Sequence, residues 1–262
     1  MSAVRCEIEA GVAYVTLSAP ASGNLLTTPM LEGLGRALAR AASEATCRAI
    51  VLSAEGRQFC GGLDLEAVFA DGGGLDRSFL TLSLDCLSQI RRARVPVIAC
   101  VEGDVTGGGV GLTAACDIVI ASPQSVFMLS EVIVGMIPAL IAPFLLRRLT
   151  PARLGTMAQS SRGVRGIEAR EWGLVDELAE EGVAGALHRQ LQRILRSSPD
   201  ALAESKGYFD ALTAHDFARQ TEVARERLLG WLSRPEVVEG ARMFAEGDAP
   251  PWFEKHVARR KI

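Results

Sequence analysis

Residues 95–111 read Val95-Pro96-Val97-Ile98-Ala99-Cys100-Val101-Glu102-Gly103-Asp104-Val105-Thr106-Gly107-Gly108-Gly109-Val110-Gly111. The first seven are apolar and rich in β-branched side chains, the pattern of a short strand bounded by turn residues. A glycine-rich turn follows, and an apolar helix over 112–116 follows that. The pattern recurs along the chain. Ala49-Ile50-Val51-Leu52 and Ile118-Val119-Ile120 are further apolar strands. Between the first of these and Val95 the spacing predicts a helix over 77–92, with Phe79, Leu80, Leu84, Leu87 and Ile90 facing inward. Strands separated by helices in this way pair in parallel, because a parallel neighbour needs a crossover connection. The fold class is α/β.

The flanks complete the outline. Cys6, Ile8, Val12 and Tyr14 alternate around Ala10-Gly11, which predicts a β-hairpin. Thr28-Pro29 opens a helix, with Thr as the cap and Pro tolerated in the first turn, and Leu31, Leu34 and Leu38 share one face. After about Leu140 helical periodicity takes over at 151–160, 183–196, 200–213 and 216–232, with one strand-like piece at Leu174-Val175. Asp71-Gly72-Gly73-Gly74 reads as a mobile loop. No linker divides the halves, so the expectation is one catalytic core with a helical C-terminal extension.

Composition excludes several function classes. The chain has 262 residues, 28 Lys+Arg against 31 Asp+Glu, and 48% hydrophobic residues. A chain of this length buries about 70–75% of its unfolded surface, so one core needs no disulfide or metal staple. The net charge of −3 argues against nucleic acid as the main partner. The six cysteines have no paired or metal-ligand spacing, and the three histidines are isolated, so neither a metal nor another cofactor is expected. The residues after Met1 lack the apolar core of a signal peptide. The longest uncharged run, 132–146, is too short to span a bilayer and carries Pro138 and Pro143. A cytoplasmic protein with no membrane contact is expected.

Two glycine-rich turns carry the chemistry, Gly56-Arg57-Gln58-Phe59-Cys60-Gly61-Gly62-Leu63-Asp64 and Gly103 to Gly111. Glycine lets backbone approach a ligand closely and leaves amides free at a helix start. Two such turns could converge on one developing oxyanion, or serve tight packing alone. Neither is a phosphate-binding loop, since no Gly-Lys-Ser/Thr follows.

These turns belong to an ordered set. Phe59-Cys60-Gly61-Gly62-Leu63-Asp64, Pro96-Val97-Ile98-Ala99, Gly107-Gly108-Gly109, Cys116-Asp117-Ile118, Glu131…Gly135-x-Ile137-Pro138 and Glu171-Trp172-Gly173-Leu174-Val175-Asp176 resemble the crotonase (enoyl-CoA hydratase/isomerase) superfamily in sequence and order. The resemblance implies the crotonase fold, with repeated ββα units forming a spiral core over 1–200. It also implies a helical trimerisation region over 201–262, trimers or dimers of trimers, and thioester substrates on a phosphopantetheine arm. Carried over position by position, it implies an oxyanion hole from the backbone amides of Leu63 and Gly108, and a catalytic carboxyl at Glu131. Hydratases of the family carry a second glutamate where this chain has Gly111. Asp64 is then the natural second acid, or else the cap of a helix over 65–69.

A narrower resemblance selects a reaction. Residues 127–148, and Arg234-Pro235-Glu236 with Gly247-Asp248-Ala249-Pro250-Pro251-Trp252, are similar to the first of the tandem hydratase-like enzymes of polyketide β-branching cassettes. Those dehydrate a 3-hydroxy-3-methylglutaryl thioester on an acyl carrier protein to a 3-methylglutaconyl thioester. The competing expectations are a Δ3,Δ2-enoyl-CoA isomerase, which also works with one carboxylate, and a non-catalytic subunit that binds an acyl carrier. Arg77 and Arg91 are candidates for the distal carboxylate. Arg147, Arg148, Arg153 and the tail 255–261 are candidates for an acidic carrier protein.

Overall fold

The computed structural model describes residues 3–64, 77–212, 234–236, 248 and 249. The expected helices at 65–69 and 216–232, the glycine loop 71–74 and the basic tail 255–261 lie outside the described residues.

The hairpin pairs β1 (Val4–Glu9) with β2 (Val12–Leu17), antiparallel, with Glu9 opposite Val12. Both turn residues, Ala10 and Gly11, have positive φ, as a two-residue turn matched to strand twist requires. From β2 the sheet grows in parallel through β3 (Ala49–Ala54), β5 (Val97–Val101), β7 (Ile118–Ala121) and β10 (Glu177–Leu178). A second sheet takes β4 (Gln58–Cys60), β6 (Asp104–Thr106), β8 (Val126–Met128) and β9 (Val164–Arg165), in that order. The successive pairs β3/β4, β5/β6 and β7/β8 each send their first strand to the large sheet and their second to the small one. The two glycine turns leave neighbouring strands of the small sheet, β4 and β6, on the same side.

The central strands read as unbroken apolar runs because both faces are covered. Ala13, Val15, Leu52 and Ala99 face α1 (Thr28–Ser43) and α2 (Arg77–Arg92). Their neighbours Tyr14, Val51, Ile98 and Ile120 pack on Leu187 and Leu191 of α7 (Val183–Leu195). Between these helices come α3 (Gly108–Ala115), α4 (Ala142–Leu145), α5 (Pro151–Ser160) and α6 (Gly166–Trp172), and α8 (Pro199–Leu212) follows α7.

Three local expectations are corrected. The cap of α1 is Thr27, whose hydroxyl accepts from the Met30 amide at 3.2 Å, so Thr28 is already helical. Leu84 is 42% exposed, because the buried stripe of α2 runs through Cys86, Leu87 and Ile90, about a third of a turn away. Leu174 and Val175 are buried but form a turn, both amides donating to the Ala169 carbonyl (2.9 and 3.2 Å). The strand begins at Glu177.

Arg148 departs further from its expected role. Its side chain is only 10% exposed and donates to the carbonyls of Cys116 (2.7 Å), Asp117 (3.0 Å) and Ala114 (3.2 Å) and to Asp176 (2.9 Å). It closes the C-terminal end of α3, where orphan carbonyls and the helix dipole favour a cation, and presents nothing to a carrier protein. Arg148→Met is expected to lower stability by about 3 kcal/mol, as several buried acceptors lose their donor together. A shift of the urea midpoint at unchanged slope would check it.

Candidate active site

The first turn is built on Asn24. This residue is fully buried at φ +53, a left-handed conformation that Asn tolerates. Its amide donates to the carbonyls of Glu55 and Gln58, both at 2.9 Å, and its oxygen accepts from Ala19 N at 2.8 Å. The loop before α1 is thus fastened to β4. Leu26 and Leu63 then form a parallel bridge in which Leu26 N donates to Gly62 O (2.7 Å) and Asp64 N to Leu26 O (3.5 Å). Such a bridge uses the residues flanking Leu63, so the N–H of Leu63 itself points away from Leu26.

The second turn meets the first closely. Gly62, at φ +85, sits so near Thr106 that a Cβ there would lie 2.8 Å from its carbonyl oxygen. A Cβ on Gly109 would lie 2.7 Å from Cys60 Cβ. Gly107 (φ 50, ψ −119) is anchored by its amide to Met128 O at 2.8 Å. Gly108 is the first residue of α3, where amides have no acceptor within the helix.

Glu131 supplies the third wall, from the loop after β8. It opens a 3-10 turn, Glu131–Val134, that ends on Gly135 at φ +74. A cleft of about 570 Å³ lies between the two turns, this segment and α2. Leu63, Gly108 and Glu131 all line it, with Leu26, Leu87 and Ile141 among its apolar walls. Glu131 Oε1 lies 3.4 Å from where a Cβ on Gly107 would stand. Oε2 is buried with no hydrogen-bond partner. Burial raises the carboxyl above its ordinary pKa, because the charged form loses hydration. No other titratable side chain among the described residues lines the cleft.

The remaining expected residues fall elsewhere. Asp64 is half-buried and is not part of the cleft wall. Arg91 does not line the cleft and is engaged by Asp117 (3.4 Å) and Asp210, and Asp210 also holds Arg147. Arg153 lies over the Trp172 ring at 4.8 Å. The side chain of Arg77 is outside what is described. Burial pushes the Cys60 and Cys116 thiols up to about 12, which keeps them unreactive. Among the described residues no cluster of His, Cys, Asp and Glu is placed to hold a metal, and no helix is long and apolar enough to cross a membrane.

The sequence alone did not reveal Asn24 or Ile141. Asn24 carried a readable signal, an Asn after Gly before an apolar run. Ile141 carried none. A Cβ on Gly111 would lie 2.8 Å from Ile141 Cβ and closer still to Cγ2, so Ile141 fills the space that a side chain at 111 would take. Gly111→Ala is expected to cost about 1–3 kcal/mol by overpacking. In the Ile141→Ala background the same change should cost much less, and a double-mutant cycle in urea would measure the coupling.

The chain belongs to the enoyl-CoA hydratase/isomerase family, whose family model matches residues 7–255. It is 27% identical over 255 residues to the bacillaene synthase dehydratase PksH of Bacillus subtilis (strain 168), covering 96% of this chain and 97% of that protein. It is 30% identical to the mevalonyl-coenzyme A hydratase SIDH of Beauveria bassiana, covering 92% and 91%. Among solved structures, an enoyl-CoA hydratase from Mycobacterium smegmatis superposes with a TM-score of 0.89 at 27% identity, covering 96% of this chain and 99% of that one. The fold is the crotonase fold, and the protein is a hydratase-like lyase acting on acyl thioesters.

Proposed function

We propose that the protein dehydrates a 3-hydroxy-3-methylglutaryl thioester, carried by an acyl carrier protein, to the 3-methylglutaconyl thioester. The observation that carries the reading is the Glu131 carboxyl: raised in pKa by burial, with an unpartnered oxygen, and set in one cleft with both glycine turns. In this mechanism the amides of Leu63 and Gly108 hold the thioester oxygen. Preorganised N–H dipoles there favour the charge that grows on it. Glu131 takes the α-proton and the electron pair passes onto the thioester oxygen as an enolate. The enolate collapses to the Cα–Cβ double bond while the β-carbon–oxygen bond breaks. Glu131 returns its proton to the departing hydroxyl, which leaves as water. Asp64, directly after Leu63, is the alternative donor of that proton.

The substrate carrier is inferred from the similarity of residues 127–148 and of the C-terminal stretch to β-branching dehydratases, together with the match to a dehydratase of bacillaene synthase. With Arg91 held by two acids, Arg77, the first residue of α2, is the candidate for the distal carboxylate. Trimerisation through 201–262 and a cytoplasmic location complete the proposal. A lone carboxylate among the described walls also suits a Δ3,Δ2-enoyl-CoA isomerase, the second reading.

Intact-protein mass spectrometry of 3-hydroxy-3-methylglutaryl-acyl carrier protein, with the CoA ester in parallel, tests the assignment. Loss of one water from the carrier-bound substrate, faster than from the CoA ester, is expected. No water loss from either, with shift of the double bond in a 3-enoyl-CoA, would establish the second reading.

A further inference from the structure

We propose that Ser130 is a catalytic residue whose hydroxyl binds the departing β-oxygen beside Glu131; this rests on the dehydration reading above. Three observations converge on it. Ser130 sits at the N-cap of the 3-10 turn, where a serine hydroxyl ordinarily accepts from a backbone amide. Here it makes no cap bond, and the turn is closed by the Ser130 carbonyl instead, which accepts from Ile133 N at 3.0 Å. The local fold does not use the hydroxyl.

Its position is the second observation. Ser130 lines the cleft, and its Oγ lies 3.9 Å from where a Cβ on Gly107 would stand, the same point that Glu131 Oε1 approaches to 3.4 Å. Serine hydroxyl and glutamate carboxyl thus face one spot beside the second glycine turn. The third observation is the rest of the wall. Ser83, the other described hydroxyl there, donates to Phe79 O at 2.8 Å, so its proton is committed. The side of the cleft at Gly111 is sealed by Ile141.

A β-hydroxyl brought into such a cleft is stripped of water and needs a hydrogen-bond partner. Ser130 donates to its oxygen as the carbon–oxygen bond breaks and negative charge grows there. The proton that completes the water molecule comes from Glu131, which has just taken it from Cα. Ser130 keeps its own proton, so the step balances without a further acid.

The test compares wild type, Ser130→Ala and Ser130→Thr by two readouts. One is water loss from the 3-hydroxyacyl carrier protein, and the other is α-hydrogen exchange in deuterated water on a saturated thioester that lacks the β-hydroxyl. Ser130→Ala is expected to dehydrate about 10- to 100-fold more slowly, the effect of one hydrogen bond to a charge-bearing atom. Its exchange rate should stay near wild type, and Ser130→Thr should restore most of the dehydration. Dehydration by Ser130→Ala at the wild-type rate overturns the assignment. Equal losses in both readouts also overturn it, because the serine then acts through Glu131. A wild-type enzyme that exchanges but never dehydrates removes the dehydratase reading itself, and the role of the serine with it.

Discussion

Glu131→Gln is expected to lower kcat by about 10²–10⁴-fold, the range for removal of a positioned general base. The glutamine is nearly isosteric and fits the same half-buried site, so circular dichroism should match wild type. Stability should move the other way. Burial raises the carboxyl pKa in the folded state, so any favourable contribution is present below the unfolded pKa and is lost as pH rises through the folded one. At neutral pH the ionised carboxylate, with Oε2 buried and unpartnered, is a net cost, and Gln removes it. The variant should therefore melt at a higher temperature at pH 7, with the difference closing as pH falls. The same shift fixes the wild-type pH profile. A base must be ionised, so kcat/KM should fall on the acid side with an apparent pKa above the ordinary glutamate value. A Gln variant that kept most of its activity would remove Glu131 from the mechanism.

How far the sequence carried depends on what each residue answers to. The hairpin, the apolar strands of the large sheet and the helix over 77–92 were legible because alternation and periodicity record burial directly. The glycine turns were legible because only glycine accepts such close backbone approach. The small sheet was not: β4, β6, β8 and β9 have only two or three residues each, too short for a period to register. Leu84 shows the limit of apolar spacing, since one more leucine on a helix does not say where the stripe ends. Arg148 shows the limit of charge reading. An Arg-Arg pair looks like a solvated patch, yet the carbonyls that hold Arg148 come from Ala114, Cys116 and Asp117, about thirty residues earlier. Glu131 sits between. Phe127-Met128-Leu129 and Val132-Ile133-Val134 flank it with apolar residues, a pattern that points to burial, but its position against Gly107 depends on the pairing of β8 with β6.

Gly62→Ala is expected to lower kcat by about 10²–10³-fold without touching any reacting group, the loss that accompanies removal of one oxyanion donor. Two strains combine at this position. An alanine at φ +85 is conformationally disfavoured, and its Cβ would lie 2.8 Å from the backbone oxygen of Thr106, which cannot rotate aside as a side chain could. Relief requires the first turn to move off the second, and the residue carried with it is Leu63. The proposed oxyanion hole would then lose the Leu63 amide. Because deprotonation and dehydration both pass through the enolate in the proposed mechanism, α-hydrogen exchange and water loss should fall together, unlike the split expected for Ser130→Ala. Gly182→Ala separates this from a general backbone penalty. Gly182 has φ +91 and lies outside the cleft, with only the Glu102 carboxylate 3.7 Å from its Cβ position. That variant should lose about 1 kcal/mol of stability and keep its rate. If Gly62→Ala turned over as fast as Gly182→Ala, the Leu63 amide would not be part of the oxyanion hole.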